Sequence, residues 1–120
     1  MDKDTIDFVA ERAALLAVSD LSTQVTRDAA QAWMDAVDAD EACADAATER
    51  LLDVLEGRPT TIDGLIAFLE GPSKDVYGEE ATAQMLAAEE QRKAAGAKWC
   101  DCEACAAATE ILARFGRVEL

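Results

Sequence analysis

The sequence predicts an all-α fold, a compact bundle of five or six helices in a single domain spanning residues 1–120. Three observations predict it. Half of the residues are apolar, and that half is mostly Ala and Leu, with 5% aromatics and two prolines, the balance of a helical protein rather than a sheet. Apolar residues recur at three- and four-residue spacing along most of the chain. Acidic or hydroxyl residues precede these stripes, and Gly or Pro follows them, as helix starts and stops require. A chain of 120 residues buries about two-thirds of the surface its unfolded form exposes, which suits one core.

The first helix starts at a cap on Asp4 or Thr5 and carries Ile6, Val9, Ala10, Ala13, Leu16 and Ala17 on one stripe, ending at Ser19-Asp20. Ser22 or Thr23 opens a second helix with Val25, Ala29, Ala32, Trp33 and Ala36 inward, to about Asp38. Asp38 and Asp40 supply the acidic start of a third, Glu41 to Glu56, with Cys43, Ala47, Leu51, Val54 and Leu55 inward. Gly57 provides its left-handed end, and Pro59 forbids continuation. A short helix from Ile62 to Leu69 follows, then a single turn from Ser73 to Tyr77.

Glu79 and Glu80 open the next helix and Arg92 and Lys93 close it before Gly96, a charge order that complements the helix dipole at both ends. Its apolar stripe is weak, with Ala81, Met85, Leu86, Ala88 and Ala95. The last helix begins at Asp101 or Cys102 and carries Ala106, Ile111, Leu112 and Phe115 to Gly116.

Net charge is −14, with 14 acidic against 4 basic residues in positions 1–56 and 11 against 7 in positions 57–120. Nucleic acid is a poor partner for such a chain, because phosphate binding takes a basic face. No run approaches the roughly 18 apolar residues of a membrane helix, and no basic start leads into an apolar stretch. The expected location is cytoplasmic. Glutathione and thioredoxin keep thiols reduced there, so the four cysteines read as metal-binding, catalytic or buried rather than as a disulfide framework.

Three of those cysteines fall within six residues, in Trp99-Cys100-Asp101-Cys102-Glu103-Ala104-Cys105, and the chain has no histidine. Cys102 and Cys105 are three apart and share a helix face, while Cys100 can fold back over the first turn. Free N–H groups at a helix start and Lys98 favour thiolates; Asp101 and Glu103 oppose them. Cys100, Cys102 and Cys105 are therefore candidate ligands for zinc or a softer thiophilic metal. A closed structural zinc site takes four ligands, and the fourth must come from Cys43, Asp101, Glu103, water or another chain.

The same cysteines also fit a thiol redox protein, with Trp99-Cys100 ahead of a second cysteine at a helix start, though disulfide exchange enzymes usually space the pair by two residues. Small cysteines that merely pack a helix start are a third reading. A fourth needs no cysteine chemistry: an acidic helical adaptor whose Ala-rich faces dock a protein partner or a second copy. Without histidine there is no Ser/His or Cys/His nucleophile, and no Gly-rich phosphate loop follows a strand, so the chain reads as a binding protein rather than a self-sufficient enzyme.

Over Ala94-Ala95-Gly96-Ala97-Lys98-Trp99-Cys100-Asp101-Cys102-Glu103-Ala104-Cys105, Ala29-Ala30-Gln31-Ala32-Trp33 and Ile62-Asp63-Gly64-Leu65-Ile66-Ala67-Phe68, the chain resembles an uncharacterised family of small acidic helical proteins from anaerobic bacteria. Some members carry a heat-shock chaperone label, which implies an ATPase domain for which this chain is too short. The resemblance implies that the Ala-Gly-Ala-Lys-aromatic-Cys-Asp-Cys run is the family hallmark. Cys43 lies outside that motif.

Overall fold

A computed structural model describes residues 1–120 and is mostly helical, with no strands. Seven α-helices form, rather than five or six: α1 Lys3–Val18, α2 Gln24–Ala39, α3 Ala44–Leu55, α4 Ile62–Glu70, α5 Ser73–Tyr77, α6 Glu79–Ala94 and α7 Glu103–Arg114. The extra element is α5, read as one turn from its Pro and Gly borders, which closes into five helical residues. A 3-10 turn, Glu41–Cys43, precedes α3.

Residues Met1–Pro59 and Asp101–Glu119 make one compact unit, and Thr60–Cys100 with Leu120 make another. In the first, α1 packs on α2 and α7, and α3 packs on the same two helices. Its core joins Val9, Ala13 and Leu16 of α1 to Leu51, Leu52 and Leu55 of α3 and to Ala104, Ala107, Ala108, Ile111 and Leu112 of α7. The small side chains of α7 let its neighbours approach closely, while each fully buried Leu or Ile contributes about 1.5–3 kcal/mol.

Helix starts follow the expected chemistry at shifted positions. Asp2, not Asp4 or Thr5, caps α1 by accepting the Thr5 N–H at 2.8 Å. Asp40 caps the 3-10 turn, so α3 begins at Ala44 and Cys43, expected to face inward, is exposed. The buried stripe of α2 is Thr26, Ala30 and Trp33, rotated from the expected one, and Val25 is half-exposed. The Thr26 hydroxyl accepts from the Thr23 hydroxyl, so burying it leaves no polar group unpaired. Gly57 does end α3 with a positive φ of 79°.

In the second unit α4, α5 and α6 pack on one another. Ile62 and Leu69 of α4 are buried as expected. The inward face of α6 is polar instead of apolar: Thr82 and Glu89 are buried, and Met85 is exposed. Thr82 shares a 3.0 Å hydroxyl hydrogen bond with buried Ser73 of α5. No helix of the chain is long and apolar enough to cross a membrane.

Trp33, at 2% exposure, donates its indole N–H to the Thr48 hydroxyl at 2.9 Å inside the core. Thr48→Val keeps the shape and orphans that donor, and should destabilise the fold by about 1–3 kcal/mol in denaturant melts, with faster exchange of the Trp33 indole proton. The cap at Asp2 depends on pH. Hydrogen bonds from the Thr5 hydroxyl and N–H hold its pKa below the ordinary 3.8, so the cap contributes fully above that value and is lost as pH falls through the lowered one. Amide protection in the first turn of α1 should fall off in that acid range, and Asp2→Asn, which caps without titrating, should abolish the dependence.

Candidate metal centre

The path to the cluster starts at the end of α6. Gly96, at φ 101°, turns the chain out of the helix, with Gly96 N–H on the Lys93 carbonyl and Ala97 N–H on the Arg92 carbonyl, both at 3.0 Å. Such paired bonds satisfy carbonyls that a helix end leaves open. Residues 98–100 then run antiparallel to residues 60–62. Ile62 N–H donates to the Lys98 carbonyl at 3.0 Å, Cys100 N–H donates to the Thr60 carbonyl at 2.8 Å, and Thr61 pairs with Trp99 in a single bridge.

After Asp101 the chain enters α7, and Cys102 is its N-cap. The Cys102 sulfur accepts the Cys105 N–H at 3.4 Å, taking the place that a Ser, Thr or Asp oxygen usually fills. Glu103, in the first turn of α7, accepts the Ser19 hydroxyl at 2.8 Å. The Thr109 hydroxyl donates to the Cys105 carbonyl at 2.8 Å. Each cysteine of the cluster therefore has its backbone held: Cys100 by the bridge, Cys102 by the cap geometry, Cys105 by the helix.

The Sγ atoms of Cys100, Cys102 and Cys105 all lie within 4.8 Å of one another. Zn–S bonds of about 2.3 Å place sulfurs about 3.8 Å apart around a tetrahedral ion. The cluster thus needs to contract by about 1 Å at most, which rotation of short side chains supplies. Cys100 is buried, and Cys102 and Cys105 are half-buried. A soft donor set, already converged and partly shielded from water, fits a thiophilic ion.

Cys43, the fourth candidate, is not among the gathered sulfurs. It sits exposed at the start of α3, its thiol directed at the Asp40 carboxylate 3.9 Å away. One Glu103 oxygen is already engaged by Ser19, and Asp101 is exposed. The chain brings together three sulfurs and no fourth.

Glu89 and Arg92 organise this segment, a role the sequence shows for neither, since Arg92 reads there only as a cation closing its helix. Glu89 pairs with Arg92 one turn on, and Arg92 donates to the Trp99 carbonyl at 3.0 Å. The only signal in the sequence was the three-residue spacing of an acid and an arginine, common on any solvated helix.

The double role of Cys102 can be separated by substitution. Cys102→Ser should remove a candidate metal ligand while keeping an oxygen cap, whereas Cys102→Ala should lose both and be roughly 0.5–1 kcal/mol less stable than the serine variant in metal-free buffer. In comparisons with protein families, curated proteins and solved structures, nothing matches the chain.

Proposed function

We propose that this protein binds a thiophilic metal ion, zinc or a softer ion, through Cys100, Cys102 and Cys105, and does so in a reducing compartment such as the cytoplasm. The observation that carries the reading is the mutual approach of three sulfurs within 4.8 Å. Three thiolates suit a trigonal soft ion outright, and suit zinc with a fourth position left to water or to an outside ligand. Cys43 is not required. The residues resembling the small acidic helical family include all three ligands and exclude Cys43, in keeping with this assignment.

Protein purified without oxygen should carry about one metal ion per chain by elemental analysis. Triple Cys→Ser substitution at 100, 102 and 105 should abolish it, and Cys43→Ser should leave it unchanged. Ligand linkage sets the size of the thermal effect: metal at a hundredfold excess over its dissociation constant stabilises the native state by about 2.7 kcal/mol, so chelation should lower Tm visibly. Metal-free protein whose Tm ignores both zinc and chelator would sink the reading. A reversible disulfide among the three cysteines, found in the same thiol count, would replace it with thiol redox chemistry.

A further inference from the structure

We propose that Arg92, held by buried Glu89, is a positioning residue of the metal centre that fixes the direction from which Cys100 offers its sulfur; this rests on the metal-binding reading above. Glu89 is 8% exposed on a helix whose outward face is polar, and carboxylates are almost never buried unless paired. Its partner is Arg92, three residues on, with side-chain exposures of 10% for the acid and 32% for the base. Buried ion pairs return little net stability against hydrophobic replacements. A geometric use is the better account of this one.

That use is visible in the next bond. Arg92 Nη2 donates to the Trp99 carbonyl at 3.0 Å, and the Trp99 carbonyl shares a peptide unit with the Cys100 N–H. The same Cys100 N–H donates to the Thr60 carbonyl at 2.8 Å. Both polar atoms of one planar unit are therefore held, its oxygen by a guanidinium and its nitrogen by the bridge to residue 60. Because the peptide unit is rigid and planar, two directional anchors at its opposite edges restrain its position and rotation. The Cα of Cys100 lies in that plane, so the sulfur that must meet Cys102 and Cys105 swings from a fixed root.

Cys100 needs this more than its partners do. Cys102 and Cys105 are placed by α7 itself, whereas Cys100 precedes the helix and lies beyond its ladder of hydrogen bonds. Outer groups that orient metal ligands typically change affinity 10- to 100-fold when removed. Lys93, the neighbouring cation, provides a control: it pairs with Asp63 at the exposed surface and is not a partner of the Trp99 carbonyl.

The test uses Co(II) as a spectroscopic probe on full-length protein prepared without oxygen, comparing wild type with Arg92→Gln, Arg92→Lys, Glu89→Gln and Lys93→Gln. Arg92→Gln should weaken Co(II) binding about 10- to 100-fold and reduce the thiolate-to-cobalt absorption per bound ion by about one third, as three thiolates become two. Arg92→Lys, which can still donate to the carbonyl, should recover most of that band; Lys93→Gln should match wild type. Glu89→Gln, nearly isosteric, should give an intermediate loss and covers the case in which Arg92→Gln does not fold. An unchanged cobalt spectrum and affinity in Arg92→Gln or Glu89→Gln, even with a lowered Tm, would overturn the positioning role. Wild-type protein that binds no Co(II) would overturn the metal reading instead. The rate of Cys100 alkylation in metal-free protein then decides the anchoring separately, since it should rise severalfold in Arg92→Gln and an equal rate rejects it.

Discussion

Burial of one face of α7 is the constraint on which the site depends. Ala104, Ala107, Ala108, Ile111 and Leu112 are all buried in the core shared with α1 and α3. At about 1.5–3 kcal/mol for each large side chain, Ile111 and Leu112 alone set where this helix lies and how it is rotated. Cys102 caps its start and Cys105 lies in its first turn, so both inherit that rotation. Two of the three sulfurs are thus placed by hydrophobic packing before any ion contributes.

The third sulfur is placed by hydrogen bonds instead. Cys100 is the last residue of an extended three-residue segment, and short bridges of this kind are marginal alone. What supports it is a set of polar groups inside the second unit: the backbone of residues 60–62, and Arg92 with its buried acid. Two of the three sulfurs are therefore secured by non-directional burial and the third by directional contacts. The contrast has an energetic side. Packing tolerates small shifts at modest cost, whereas a hydrogen bond weakens steeply once its angle is lost, so Cys100 is the sulfur whose placement is most sensitive to sequence change around it.

Helix existence was legible throughout, because apolar spacing and capping residues act locally. Ile6, Val9, Ala13 and Leu16 on α1 and Ile62 and Leu69 on α4 are buried where periodicity put them. Errors appear where polar residues face inward. Thr26 took the place of Val25 on α2, since a paired hydroxyl can be buried without loss. On α6, hydropathy directed Met85 to the core, yet Thr82 and Glu89 went there, each with a partner from elsewhere in its unit or one turn away. Partners of this kind are set by the fold, and no single-residue scale contains them. The cysteine spacing revealed the donor set; the anchoring of Cys100 lay in the polar face that the same scale misassigned. Cys43 was turned outward by the 3-10 turn at residues 41–43, a local geometry that apolar periodicity does not encode.

On the proposed metal-binding reading, acidity and sulfur chemistry have separate parts in choosing an ion. A net charge of −14 raises the local concentration of every cation and speeds encounter, but it does so for magnesium and calcium as readily as for zinc or copper. Exposed carboxylates also suit those hard ions best. Discrimination must then come from a donor set that hard ions disfavour, and Cys100, Cys102 and Cys105 are the chain's only such group. The deficit of one ligand sharpens the choice further. A closed four-sulfur site would hold zinc as a structural staple, while three sulfurs leave either a trigonal soft ion fully coordinated or zinc with an open position, and the position left open is where an outside donor would compete with water.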